Sequence, residues 1–469
     1  MSKILVLGGG VIGLSTAMML ERDGHDVLVL ERDPEPVPAS PDDAWDTWER
    51  RGVGQFRQPH YLHPAGRLVL ETHLPEVQAA LLSAGGTTFD ALTLLPPSIE
   101  DRAPRPADER FVSVTGRRPV VEYAVASVAD RRLEVCRGVS VTGLLTGPSA
   151  ANGVPHVVGV RTSENEAIVA DLVIDAMGRR SALPDWLASI GARRPIEQAE
   201  DSGFIYYSRY FRSRTGSPAR FRAGLLTHFD SFSILTLPGD ADTWSVTVYV
   251  SAGDHQLKNV RDLQHWTALV AACPLHAHLL DGTPITDILA LGGVLDRYRR
   301  LSVDGTPVAT GIVAVGDSWA CTNPSLGRGL AMGLIHAAGT REVARQHLGD
   351  PLALASAHDE MTETRVTPWY RHTIELDRAR VAGINAAIEG RALPEPTDPA
   401  ARVRAALLIA IRYDADVFRA FTEINSLLAL PREVMSRPGL VDSILEAARG
   451  RELVAPPGPS RAELLRMMA

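Results

Sequence analysis

The passage that most limits the fold lies at the amino terminus. Lys3-Ile-Leu-Val-Leu7 is a short apolar run, followed at once by Gly8-Gly-Gly10-Val11-Ile12-Gly13 and a helical pattern to Arg22. Gly24 closes that helix, and Val27-Leu-Val-Leu30 forms a second strand ending in Glu31. Strand, glycine turn, helix and strand in this order make a parallel β-α-β unit. The first glycine permits a tight turn, the second lets a pyrophosphate approach the backbone, and the third lets helix and strand pack closely. The helix start then offers free N–H groups and a positive dipole end to phosphate. Glu31, 18 residues beyond Gly13, is spaced to accept hydrogen bonds from both ribose hydroxyls of an adenosine. Gly8, Gly10, Val11, Ile12, Gly13, Glu31 and Arg32 are therefore the expected dinucleotide contacts.

Length and composition narrow the rest. A chain of 469 residues has room for two or three domains, and 45% hydrophobic with 22% charged residues is ordinary for a globular protein. The net charge of −8 argues against nucleic acid, which needs clustered positive charge. Cys136, Cys273 and Cys321 fall in no disulfide or zinc spacing, so neither is expected, and a reducing cytoplasm fits. The apolar stretch from Ile4 to Leu20 contains four glycines and lacks a cleavage site, so it does not read as a signal peptide. No run reaches the ~18 apolar residues of a membrane span.

Further along, a helical pattern covers Leu62 to Ser83, a Pro-rich connection covers Pro96 to Asp108, and 119–131 reads as a helix. Residues 132–175 read as short strands broken at Gly147–Gly153. From Phe204 to Tyr249 the pattern is β-like, and ten of the 26 aromatic residues fall there. Tyr206, Tyr207 and Tyr210 are candidates for an aromatic or polyene pocket, although alternation turns half of such residues into ordinary core. Gly311-Ile-Val-Ala-Val315 is another buried strand, running into Gly316-Asp317 and a small-residue helix from about Gly327 to Ala338. Beyond about residue 345 the pattern is helical to the end.

Several segments resemble the p-hydroxybenzoate hydroxylase-like FAD-dependent monooxygenases, and are closest in motif to the squalene epoxidase-like and polyether epoxidase-like branch. Gly311 to Leu330, with Asp317, Pro324, Gly327 and Gly329, looks like the second FAD motif of that superfamily. The resemblance implies that Asp317 binds the ribityl chain and that the Pro324–Leu330 turn lies beside the flavin ring. Arg51-Gly-Val-Gly-Gln55-Phe-Arg57-Gln-Pro-His60 looks like the segment that passes along the flavin. Arg118 matches an arginine near the FAD phosphates. Ala170 to Ser181 resembles the strand and turn that bring Ala176 and Gly178 to the cofactor, and Val141 is expected beside them. His60, Pro324 and Gly327 are the candidates nearest the chemistry. His60 and His63 also read as plain polar loop residues, and Cys321 as a small buried one.

What the resemblance implies is an α/β fold with an α+β insertion: a Rossmann-like FAD-binding domain from 1–75, 110–185 and 290–345, a β-sheet substrate domain from 76–109 and 186–289, and a helical region from 346–469. It further implies oxygenation of a bulky apolar or aromatic small molecule, by hydroxylation or epoxidation, through a flavin hydroperoxide. FAD and dioxygen are expected, with NAD(P)H as electron donor directly or through a partner flavin reductase. The chain departs from the aromatic hydroxylases at Met177-Gly178, where they carry Asp-Gly for FAD and NAD(P)H, and it has no second glycine fingerprint. Halogenation is disfavoured, because the W-x-W-x-I-P sequence is missing and the only lysines, Lys3 and Lys258, are badly placed. A reductase of the geranylgeranyl reductase type, or an FAD-binding maturation factor that no longer oxygenates, remains as an alternative.

Overall fold

Lys3–Leu7 is buried because it is the middle strand of a five-stranded parallel sheet. In the computed structural model, which describes residues 1–217, 219–392 and 398–469, the order is Ile312–Ala314, Leu172–Asp175, Lys3–Leu7, Asp26–Glu31, Glu134–Arg137. All four pairings are parallel. Ile4, Leu5 and Val6 have no exposed surface, as a parallel strand covered on both faces requires. Leu14 and Met18 of the helix Val11–Glu21, Val121 and Val125 of Arg118–Ala129, and Leu330 and Leu334 of Gly329–His347 share that core. So do Val157 and Val160 of an antiparallel meander built from Val141–Ala151, Val154–Thr162 and Ala167–Val169.

Local chemistry moved some boundaries. Strand pairing continues through Gly147 by way of bulges, and the chain turns only at Asn152-Gly153, where Gly153 takes φ +76°. The helical stretch after Leu62 is two helices, Pro64–His73 and Pro75–Ser83, because Pro75 has no N–H to continue the first. Val77 and Leu81 of the second helix pack into the nucleotide-sheet core.

A second, antiparallel sheet runs in the order Leu226–His228, Phe232–Pro238, Thr243–Ser251, Phe204–Arg212, Thr283–Pro284, with Leu289–Leu291 also paired to Phe204–Arg212. Its alternation separates two faces. Tyr207, Phe211, Val246, Val248 and Ile234 pack against Trp266 and Leu269 of the helix Leu263–Ala271. Leu464 of the final helix, Arg461–Met467, joins them, tied down by an Arg461–Asp254 ion pair of 2.7 Å. The chain's last helix thus belongs to the second core. The opposite face carries Tyr206 opposite Tyr249, Ser208 opposite Thr247, and Leu235 beyond Thr247. Across it lies the helix Thr367–Ile388, whose Ile384 packs with Phe204, Tyr206 and Tyr249.

The two sheets are joined by Ile196–Asp201 and Leu295–Arg300, which pair antiparallel. They are also clamped by Arg117, which grips Asp240 with both ends at 2.6 and 3.0 Å while both side chains are almost fully buried. No helix among the described residues is long and apolar enough to cross a membrane.

Candidate functional site

The glycine turn is built as its spacing demands. Gly8 adopts φ +107°, and a Cβ there would lie 2.5 Å from the Ala176 carbonyl oxygen. At Gly13 a Cβ would meet the Gly8 carbonyl at 2.0 Å, so helix and strand touch through backbone alone. Gly10 differs: among the described residues, nothing lies within 4 Å of where its Cβ would stand. That space opens into a cavity of about 870 Å³, and the helix that begins after Gly10 has no side-chain cap. Uncapped N–H groups facing an open cradle fit a pyrophosphate.

Glu31 ends its strand inside the same cavity, held in place. One carboxylate oxygen accepts the Gly9 N–H at 2.6 Å and Arg50 Nη2 at 2.9 Å, and the other accepts the Asp33 N–H at 2.8 Å. Arg50 also reaches Asp33 at 3.2 Å and Glu122 at 3.3 Å, and Arg118 donates twice to Glu122. These buried acids offset the burial of the Arg50 guanidinium, whose pKa is raised. Three of the roughly four acceptor positions on Glu31 are filled by protein, which leaves room for ribose at one edge.

Further along the cavity, Asp317 presents a carboxylate with no hydrogen-bond donor among the described residues, suited to ribityl hydroxyls. Its backbone is fixed by Arg297 Nη2 at 3.1 Å. Met177, where aspartate was the resemblance's expectation, donates its N–H to buried Asp175 at 3.0 Å, and Asp175 also takes Ser181 and Ser318 hydroxyls at 2.5 and 3.0 Å. The turn Pro324–Leu326 ends at Gly327 with φ +64°. His63 Nε2 meets the Leu326 carbonyl at 2.8 Å, and His60 Nδ1 the Gln58 carbonyl at 2.8 Å. Burial pushes their pKa values down to about 4 and about 3, so both rings are neutral at pH 7.

The cavity then reaches the second sheet. Tyr206, Ser208, Thr247 and Tyr249 line it, with Leu226, Leu235 and Leu237 beside them and Asp377 and Arg380 opposite. The Tyr206 hydroxyl donates to Asn323 Oδ1 at 2.6 Å. Asn323 Nδ2 and the Ser325 hydroxyl donate to Asp377 at 3.3 and 2.5 Å, which ties the Pro324 turn to sheet and helix. Phe418 and Phe421 also line the cavity.

Of the residues singled out in the sequence, this one cavity gathers Gly8, Gly10, Val11, Ile12, Gly13, Glu31, Arg32, Gln55, His60, Arg118, Val141, Ala176, Gly178, Tyr206, Asp317, Pro324, Gly327, Gly329 and Leu330. Four lie elsewhere. Arg51 is exposed, and its neighbour Arg50 faces the cavity instead. Arg57 turns away to the Trp48 carbonyl at 3.0 Å and stacks over Trp45. Tyr207 points into the second core, as an odd position on its strand must. Tyr210 shares the face of Tyr206 but packs on Trp45 at 5.1 Å. Cys321 is buried, with its thiol toward the Leu295 carbonyl. Reasoning from the sequence missed Arg50, Tyr249, Asp377 and Arg380. Only Tyr249 had a readable signal, its period-2 position in an aromatic strand.

Fold and cradle together are similar to those of FAD-dependent oxidoreductases. Residues 3–90 match the family described as FAD dependent oxidoreductase. Protein Rv3254 of Mycobacterium tuberculosis is 27% identical over 357 residues, 73% of this chain and 72% of that one. The Diels-Alderase PyrE3 of pyrroindomycin biosynthesis has a similar fold, with TM-score 0.56 at 17% identity over 97% of this chain and 82% of that one. PqsL, a probable FAD-dependent monooxygenase from Pseudomonas aeruginosa, has TM-score 0.55 at 16% identity over 82% of this chain and 99% of its own. At such identities the structural likeness speaks for the fold.

Proposed function

We propose that the protein is a monooxygenase that inserts one atom of dioxygen into a bulky, largely apolar small molecule, by hydroxylation or epoxidation. One observation carries the reading: a single cavity runs from the Gly8–Glu31 cradle past Asp317 and the Pro324 turn to the face bearing Tyr206, Thr247 and Tyr249. Bound FAD would supply electron transfer and activation of dioxygen. The chain's own part is to hold the pyrophosphate at Gly10, the adenosine ribose at Glu31 and the ribityl chain at Asp317. The apolar walls exclude water, and the neutral His60 and His63 put no positive charge into that wall. The superfamily branch nearest in motif remains the epoxidase-like one. Electrons come from NAD(P)H, directly or through a partner reductase; with Met177 in place of the usual aspartate, the partner route is the first to test.

A second reading draws on the likeness to PyrE3, which is named for a cycloaddition. Turnover under ¹⁸O-labelled dioxygen separates them. The monooxygenase reading expects one labelled oxygen in the product, read by mass spectrometry, and no conversion under nitrogen. Conversion that persists anaerobically with unlabelled product would replace it with the reductase or cycloaddition reading.

A further inference from the structure

We infer that the chamber between the second sheet and the helix Thr367–Ile388 receives a substrate bearing a carboxylate, and that Arg380 is the residue that binds it. The inference deepens the proposed function by naming the substrate's charged group. It starts from a contrast of charge. The chain carries a net −8, yet the cavity wall holds seven arginines against Glu31, Asp317 and Asp377 among the described residues. Near the glycine turn, Arg50 and Arg118 are answered by Glu31, Asp33 and Glu122. At the far end the balance is different.

Arg380 has no carboxylate within ion-pair distance among the described residues. Its Nε donates to the Ser233 hydroxyl at 3.1 Å, and its Nη2 to the Phe229 and Phe232 carbonyls at 2.6 and 2.5 Å. All three acceptors are neutral. They pin the guanidinium, leave Nη1 without a hydrogen-bond partner among the described residues, and keep Arg380 in the chamber lining. Asp230 acts on this guanidinium only from beyond ion-pair distance, and the guanidinium's hydrogen-bonding partners are all neutral, so an anion brought by a ligand is the natural close complement.

The neighbours support that assignment. His228 Nδ1 meets the same Ser233 hydroxyl at 3.0 Å, and burial together with Arg380 pushes its pKa down to about 3, so it adds no competing charge. Burial pushes the Tyr249 phenol up to about 12, so it stays a neutral hydrogen-bonding group. Asp377, on the same helix, is engaged by Ser325 and Asn323. Leu226, Leu235 and Leu237 supply an apolar wall beside Arg380. A fixed cation beside an apolar wall fits a molecule with an apolar body and an anionic end.

The test is titration of the FAD-loaded protein with 2-naphthoate and with its neutral isostere 2-naphthamide, by calorimetry and by perturbation of the bound FAD spectrum. The carboxylate is expected to bind at least roughly tenfold more tightly than the amide, with a preference that weakens as salt is raised. Arg380→Gln should erase the preference with FAD content unchanged, and Arg380→Lys should keep part of it. Equal affinities, binding of neither probe, or a preference that survives Arg380→Gln would overturn the assignment. Should Arg380→Gln fail to fold, the comparison of probes on the unaltered protein still decides. Should the protein take up no FAD, the monooxygenase reading falls, while calorimetry on the cofactor-free protein still reports the carboxylate preference.

Discussion

Gly10 is the position where a single added side chain separates binding from folding. No atom of the described residues lies within 4 Å of its missing Cβ, so Gly10→Val has room where its side chain branches off. The chain should still fold with only a small drop in unfolding temperature, the cost of valine at a helix N-cap. The same methyl groups would fill the pyrophosphate's place, and FAD uptake should be abolished. Chromatography of heat-released cofactor, beside a melting curve, checks both halves. Glu31→Ala acts differently, since that carboxylate also holds the Gly9 N–H and Arg50. FAD retention should weaken by about 1–3 kcal/mol, measured by cofactor titration, and Arg50 loses one of its three acids, so stability should fall as well.

Between elements, one contact that holds the second sheet against the first is the Arg117–Asp240 pair. The Arg117 backbone N–H also donates to the Asp240 carboxylate at 2.7 Å, and its guanidinium stacks 4.2 Å over Trp45. Asp240→Ala leaves a buried guanidinium without its partner, and a loss of about 3–5 kcal/mol is expected, read as a lower urea midpoint. Replacing both residues with apolar ones of similar size should recover much of that loss, because the unpaired charge is what costs. The cavity lies between the sheets, so Asp240→Ala should also weaken FAD binding while Gly10 and Glu31 stay intact.

Over the whole molecule, buried ionisable groups set the pH response. His63, His276 and His358 have pKa values pushed down to about 4 by burial, and that of His336 is pushed further. Between these values and the unfolded histidine's ~6.5, the unfolded chain binds more protons, so stability falls as pH drops through that window. Asp296 and Asp377 work in the opposite sense. Burial raises them to about 7 and about 6, so they favour the folded state below an ordinary carboxylate's range and lose that contribution as pH rises through their own values. The histidines outnumber them, and a net fall in stability below about pH 6.5 is expected. Urea titrations at pH 5, 6, 7 and 8 read it; a midpoint that rises on acidification would contradict this sign.

The β-α-β cradle could be read directly from the chain, because each part of it is local: glycine spacing, a run of apolar residues and an acid at a strand end are all set by neighbours in sequence. Period-2 alternation likewise separated the faces of the second sheet, although Tyr210 shows that the face alone does not place a residue, since Trp45 occupies the space beside it. Arg50 and Arg51 carry the same side chain one residue apart, and only the packing of Asp33 and Glu122 around Arg50 selects between them. The far wall of the cavity was beyond reach for the same reason. Asp377 and Arg380 sit in a helix whose pattern names no partner, and they acquire meaning from Ser325, Asn323 and Ser233, which lie 52, 54 and 147 residues away in the chain. Local backbone chemistry determined where FAD would be held; the long-range docking of sheet and helix decided what the remaining space is shaped and charged to receive.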